Sequence, residues 1–164
     1  MIINGSDLLQ RAPIKGMINE KRREHGVSWG LSEAGYDIRI KQDIHFYKPA
    51  NDDPSEVAVD GIFVEGNFTL ASAIEEFQMP HNLVGIVHDK STWARQGLSV
   101  YNTVIENGWC GFLTLELVYH GRYSLHIPAG AGIAQVIFHE TSRFASYDGK
   151  YQNQPDRPVE AIAR

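Results

Sequence analysis

Two stretches carry the residues suited to chemistry. The first, His88-Asp89-Lys90-Ser91-Thr92-Trp93-Ala94-Arg95-Gln96-Gly97-Leu98, interrupts two strand-like runs with one helical turn. Ser91 is placed to act as N-cap, Ala94 to Gln96 favour helix, and Gly97 suits the position just past the helix end. A short helix preceded by Lys90 and opened by Ser91 and Thr92 offers backbone N–H groups and hydroxyls to an anion. Arg95 follows Ser91 by about one turn, so the two lie on the same face. The same residues also describe a capped surface turn with a salt-bridging arginine.

The second stretch runs from Val104 to Tyr119. In Phe112-Leu113-Thr114-Leu115-Glu116-Leu117-Val118-Tyr119, strand alternation puts Leu113, Leu115 and Leu117 on one face and Thr114, Glu116 and Val118 on the other. Glu116 has leucines on both sides and no nearby charge until Arg122. An ionised carboxylate is costly to bury alone, so Glu116 is paired, exposed, or held with a raised pKa. In a pocket it is a general acid–base; on an edge strand it is an outward-facing side chain. Glu106 stands at a strand end beside Trp109, where it can hold a sugar hydroxyl, or else sit on the rim of a turn made by Asn107-Gly108. Cys110 reads as a small buried filler, and His88, next to the Lys90 turn, is the histidine closest to the chemistry.

The elements that position these stretches are mostly strands. Tyr36, Ile38 and Ile40 alternate with Asp37, Arg39 and Lys41, which predicts a half-buried strand. Further strand-like runs are Gly61–Val64, Phe68–Ile74, Leu83–His88, Leu98–Ile105, Phe112–Tyr119, Tyr123–Ile127 and Ile133–Phe138, separated by turn signals. Pro49 to Asp60 is polar and acidic and reads as a surface loop. Helical signals are confined to the first third: Ser6 can cap a short helix through Gln10 that ends before Pro13, and Met17 to His25 fits a helix or a loop equally well. The tail, from about residue 143 to 164, reads as an extended arm. The whole predicts one domain over residues 1–164, mainly β, in a sandwich or jelly-roll barrel.

Composition narrows the function. The 164 residues carry 15 Lys+Arg against 20 Asp+Glu, a net charge of −5, which argues against a nucleic-acid surface but not against a small anion held by a few placed cations. The single Cys110 excludes an intramolecular disulfide and a zinc site built on two thiolates. The seven histidines show no HExxH or HxE…PCxxC pattern. No stretch approaches the ~18 apolar residues of a membrane span, and the start lacks a signal core, so a cytoplasmic location is expected.

Taken together, six segments resemble the dCTP deaminase branch of the deoxyuridine triphosphatase superfamily. Ala34-Gly35-Tyr36-Asp37-Ile38-Arg39-Ile40 is similar to that family's Ala-Ser-Tyr-Asp-Leu-Arg-Leu strand, and Lys90 to Leu98 to its Arg/Lys-Ser-Ser-x-Ala-Arg-x-Gly-Leu motif. Ile105 to Gly111 resembles Ile-Asp-Pro-Gly-Phe/Trp-x-Gly, and Thr114-Leu115-Glu116-Leu117 the Thr-Leu-Glu-Leu strand. Gly130-x-x-Ile133-Ala134-Gln135 resembles Gly-x-x-Ile-Ala-Gln, and Tyr147 to Gln154 the C-terminal Tyr…Lys-Tyr-x-x-Gln arm. Glu106 stands where the family usually has Asp, and Tyr101-Asn102-Thr103-Val104 replaces a His-x-Thr-Ala type sequence in a shorter segment.

The resemblance implies a distorted jelly-roll β-barrel that assembles as a homotrimer with sites between subunits. It implies hydrolytic deamination of dCTP to dUTP and ammonia without zinc, with Glu116 as general base and Ser91 and Arg95 positioning the water and Glu116. Lys90, Ser91 and Thr92 would meet the phosphates, and Glu106 the deoxyribose 3′-hydroxyl. The site would further include Trp109, Thr114 and Leu115, with Tyr147, Lys150 and Gln154 closing over the triphosphate. Mg²⁺ would sit on the phosphates, with no protein side chain as metal ligand. Two other readings use the same barrel: a deoxyuridine triphosphatase or bifunctional enzyme, and a catalytically silent nucleotide-binding regulatory module.

Overall fold

Period-two patterning from Tyr36 onward does produce antiparallel strands. The computed structural model describes residues 1–49 and 55–163. In chain order its elements are β1 (Ile2–Ile3), α1 (Gly5–Arg11), β2 (Lys21–Glu24), β3 (Val27–Leu31), β4 (Tyr36–Arg39), β5 (Ile44–Tyr47) and β6 (Glu56–Val59). There follow β7 (Ile62–Glu65), β8 (Phe68–Gln78), β9 (Leu83–Asp89), α2 (Ser91–Ala94), β10 (Leu98–Tyr101), β11 (Cys110–Tyr119), β12 (Leu125–Ile127) and β13 (Gly132–Glu140). Three sheets result: β1-β13-β4-β3-β2 with β9 also on β13, then β10-β11-β8, then β12-β5-β6-β7. The mainly β expectation therefore holds. Among the described residues no helix is long and apolar enough to cross a membrane.

Inward-facing residues of all three sheets meet in one core that includes Ile38, Phe46, Ala71, Phe77, Leu115, Ile133 and Phe138. Burying a side chain of this size stabilises the fold by about 1.5–3 kcal/mol relative to leaving it exposed.

Several expectations are corrected. The N-cap of α1 is Asn4, not Ser6, and Asn4 makes no side-chain cap; its amide donates instead to the Glu33 carbonyl. Between Met17 and His25 the chain forms β2, an edge strand whose four residues are all exposed. With no buried face there is no apolar alternation to read, and a charged edge discourages pairing with other chains. The second half of the Pro49–Asp60 loop is β6, with Val57 fully buried; residues 50–54 lie outside those described. The Leu98–Ile105 run is a strand only as far as Tyr101, while Phe68–Ile74 extends to Gln78. Asp37, given a solvent-facing position by alternation, is buried, because the Lys90 ammonium and the Ser28 hydroxyl both bond its carboxylate and cover that side of β4.

The turn at Lys90 also differs in detail. Lys90, in extended conformation, is the N-cap of α2 and makes no side-chain cap, while Ser91 is already helical. Trp93 is buried and its indole N–H donates to the Gly132 carbonyl at 2.7 Å, which pins the turn to β13. Gly97 then turns the chain with φ +98, where a Cβ would come within 2.6 Å of the Gly121 nitrogen.

Candidate functional site

β11 crosses the middle of its sheet, with β10 on one side and β8 on the other. Cross-strand register sets Glu116 opposite Tyr101 on β10 and Leu70 on β8, and Thr114 opposite Ser72. A bulge shifts the β8 register between Phe112 and Thr114. Residues 73–75 of β8 span the interval that Leu113 alone spans on β11. Strict alternation would put Leu113 on the core face with Leu115. The bulge instead leaves it half-buried and facing a cleft that Thr114 and Glu116 also line. Glu75, inside the bulge, is buried and accepts from the backbone N–H and the guanidinium of Arg39, which in turn stacks over Trp29 at 3.8 Å.

The cleft encloses about 1550 Å³. One wall is Leu113, Thr114 and Glu116, a second the Asn102–Glu106 segment with Trp109, and the third the C-terminal arm. The Glu116 carboxylate is half-buried and has no hydrogen-bond partner among the described residues. Burial alone pushes its pKa above the ordinary carboxylate value, since nothing nearby stabilises the charge. Glu106 is exposed on the rim. Asn107 behind it is buried, with its amide donating to the His81 carbonyl and the Thr141 hydroxyl, which fixes the turn that carries Glu106.

The arm is bound to its own chain along the start of β11. The Trp109 indole N–H donates to the Tyr151 carbonyl at 2.7 Å. Gln152 accepts from the Cys110 N–H, and the Gln154 carbonyl accepts from the Phe112 N–H. At Gly111, φ is +130 and a Cβ would lie 2.5 Å from the Gln154 nitrogen, so only glycine admits the arm this closely. The Thr114 hydroxyl donates to the Gln154 side-chain carbonyl and accepts from the Val159 N–H, each at 3.1 Å.

The expected site residues fall into two sets. Glu106, Trp109, Thr114, Glu116, Tyr147 and Gln154 share the cleft. Leu115 does not: its side chain is fully buried in the core, so only its backbone is near the site. Lys150 is exposed and donates to the Ile162 carbonyl at 2.6 Å instead of lining the cleft. Lys90, Ser91, Thr92 and Arg95 also lie off it. Ser91 and Thr92 on α2, and Arg95 just past its end, are exposed; α2 leads into the Leu98 end of β10, whereas Glu116 pairs with the Tyr101 end. Three strand residues separate those ends by about 10 Å. Lys90 turns inward, its ammonium 2.5 Å from the Asp37 carboxylate and 3.1 Å from the Ser28 hydroxyl.

Contributors to the cleft that were not assigned from sequence include Leu113, Asn102, the Phe68–Leu70 start of β8 and the Arg157–Ala161 segment. Asn102 had a signal, its place in the Tyr101-Asn102-Thr103-Val104 segment that departs from the His-x-Thr-Ala type sequence. Leu113 had none, because the bulge that turns it lies in β8. Among the described residues no three His, Cys, Asp or Glu side chains cluster as a metal centre.

A family model described as dCTP deaminase-like matches residues 8–141. The chain is 35% identical to a dCTP deaminase of Roseiflexus castenholzii over 86% of each sequence, and 33% identical to one of Acidobacterium capsulatum over 94% of this chain and 96% of that one. It is 36% identical to a dCTP deaminase of Herpetosiphon aurantiacus over 86% of each. Among solved structures, EIAV dUTPase superposes with a TM-score of 0.52 over 86% of this chain and 93% of that one, at 21% identity, which is a likeness of fold. Motif order, β architecture and these relatives agree: the chain belongs to the dCTP deaminase-like family.

Proposed function

We propose that the protein hydrolyses dCTP to dUTP and ammonia, with Glu116 as the proton-transferring base. The observation that carries this is the Glu116 carboxylate itself: half-buried in a large cleft, without a hydrogen-bond partner, and with its pKa raised by burial. A base whose pKa moves toward neutrality both accepts a proton from water and returns it readily. Glu116 takes a proton as the water oxygen bonds to C4 of the cytosine, and passes it to N3. It then takes the remaining proton of the new C4 hydroxyl and delivers it to the amino group, so that the C4 carbonyl forms as the C4–N bond breaks with loss of ammonia. This scheme assigns the proton chemistry to a carboxylate rather than to a zinc-bound water.

Ser91 and Arg95 position the water and the nucleotide in this reading, and they reach Glu116 from a neighbouring copy of the chain. Two observations support a shared site. The α2 residues do not line their own chain's cleft, and Phe68 and Val104, which do, stand exposed. Apolar side chains in such a position are the usual mark of a surface covered by a partner. A homotrimer closes three such sites by symmetry. Ser91, Thr92 and Arg95 then meet the triphosphate, with Mg²⁺ bound through the phosphates offsetting their charge. Lys90, bonded to Asp37, serves the same end by holding the start of α2 in place. Glu106 accepts from the deoxyribose 3′-hydroxyl, and Tyr147 and Gln154 close the cleft from the arm side.

Incubating the purified protein with dCTP or dUTP in Mg²⁺ and resolving products by chromatography tests the reading. dUTP and ammonia from dCTP, without pyrophosphate, is the expected result. dUMP and pyrophosphate from dCTP would make the enzyme bifunctional. Cleavage of dUTP with dCTP untouched, or no turnover, would overturn the proposal.

A further inference from the structure

We infer that Arg157 is the cation by which the chain's own arm binds the phosphate chain of a nucleotide in the cleft; the inference rests on the nucleotide-hydrolase reading above. Arg157 lines the cleft, and among the described residues it is the only cationic side chain that does. Lys150, expected from the arm motif to meet the triphosphate, is turned away, toward the Ile162 carbonyl and the Tyr151 ring. Arg157 is exposed and uncommitted. Its guanidinium makes one contact, Nη1 to the Pro158 carbonyl at 3.5 Å, at the outer limit of a hydrogen bond.

The tail is pinned on both sides of this residue. On one side the Lys41 ammonium lies 2.5 Å from the Asp156 carboxylate and 3.2 Å from the Asp156 carbonyl. On the other the Val159 N–H donates to the Thr114 hydroxyl at 3.1 Å. Between these anchors the Arg157 N–H donates to the Pro155 carbonyl at 2.7 Å, and Pro155 and Pro158 restrict the backbone further. The backbone of Arg157 is thus held at the cleft wall while its side chain stays free to reach a ligand. Anchoring of this kind lowers the ordering cost that a loose tail bears on binding.

Charge decides what that ligand group is. The other charged side chains lining the cleft among the described residues are the carboxylates Glu106, Glu116 and Glu160. On their own they repel a nucleoside triphosphate. The α2 residues, Arg95 included, lie off their own chain's cleft. Thr69 and Thr103 line it and can hydrogen-bond a phosphate, but an uncharged hydroxyl does not offset phosphate charge. Arg157 does both, because a guanidinium is charged at every working pH and presents its donors in a planar fork that matches phosphate oxygens.

The test uses the full-length Glu116→Gln protein, which holds nucleotide without turnover, with Arg157 in place or changed by Arg157→Ala or Arg157→Lys. Calorimetry measures the affinity of each for dCTP directly and for deoxycytidine by displacement. Arg157→Ala is expected to weaken dCTP binding at least about tenfold, the scale of a charge-assisted hydrogen bond, and to leave deoxycytidine unchanged. Arg157→Lys keeps the charge without the fork and recovers part of the loss. Added salt narrows the gap between Arg157 and Arg157→Ala, because a charge contact is screened and a packing role is not. Unchanged dCTP affinity in Arg157→Ala, or an equal loss for dCTP and deoxycytidine, overturns the inference while leaving the deaminase reading intact. If the site takes uracil nucleotides instead, the deaminase reading fails, and the same comparison of dUTP with deoxyuridine decides the role of Arg157. Binding of neither dCTP nor dUTP overturns both.

Discussion

The Lys90 ammonium lies 2.5 Å from the Asp37 carboxylate, joining the start of α2 to the middle of β4. Both side chains are largely buried, at 11% and 4% exposure, so each is the other's principal counter-charge. Removing one partner of such a pair strands the other and typically costs about 3–5 kcal/mol. Asp37→Ala is therefore expected to destabilise the protein by about that amount, read by urea unfolding. A change within about 0.5 kcal/mol would show that Lys90 finds solvent or another partner once Asp37 is gone.

Glu116→Gln removes the base while keeping the shape of the side chain. Deamination is expected to fall by at least ~10²-fold with nucleotide binding retained, measured by steady-state kinetics and calorimetry. A near-normal rate would assign the proton transfer elsewhere.

The raised pKa of Glu116 also has a sign for stability and activity. Burial favours the protonated form in the folded state, so this group's contribution is most favourable below the unfolded carboxylate pKa and is lost as pH rises through the folded value. At neutral pH, Glu116→Gln is therefore expected to melt at or above the wild-type temperature. That advantage disappears below about pH 4, where the carboxyl is neutral in both states. In activity the same shift brings the acidic limb of the rate profile to a higher pH than an ordinary glutamate gives. A Glu116→Gln protein that melts lower at neutral pH would contradict an unpartnered, burial-shifted carboxylate.

A site shared between subunits makes a mixing experiment decisive. Glu116→Gln and Arg95→Ala proteins are each expected to be nearly inactive alone. Dissociated and reassembled together in equal amounts, they regain up to about a quarter of wild-type activity, because a whole site then needs one neighbour of each kind. Residues acting within a single chain would give no recovery.

The arm supplies a wall of the cleft through Val159 and its neighbours, and Thr114 holds it there. Ending the chain after Gln154 is expected to raise KM for dCTP severalfold while leaving the melting temperature close to wild type, since the residues removed contribute little to the buried core. An unchanged KM would show that this segment does not meet the nucleotide.

The sequence by itself determined the strand-rich fold, the alternation that sends Thr114 and Glu116 to one side of β11 and Leu115 to the other, and the motif order that marks the family. Those features are local: a two-residue period or a short spacing is enough to state them. β2 and β6 were not legible because an exposed edge carries no apolar period and a strand four residues long is too brief to outweigh its acidic flanks. Only the tertiary structure decided that Lys90 spends its charge on Asp37, that a bulge in β8 turns Leu113 toward the cleft, and that Asn102 is tied through its amide to the Thr114 carbonyl. Each depends on what a distant strand places opposite the residue, and pairing partners more than ten positions away leave no signal in the local pattern. In a chain of net charge −5, Arg95 just past α2 is exposed with no ion-pair partner among the described residues, while Lys90 a few residues before it is already neutralised by Asp37.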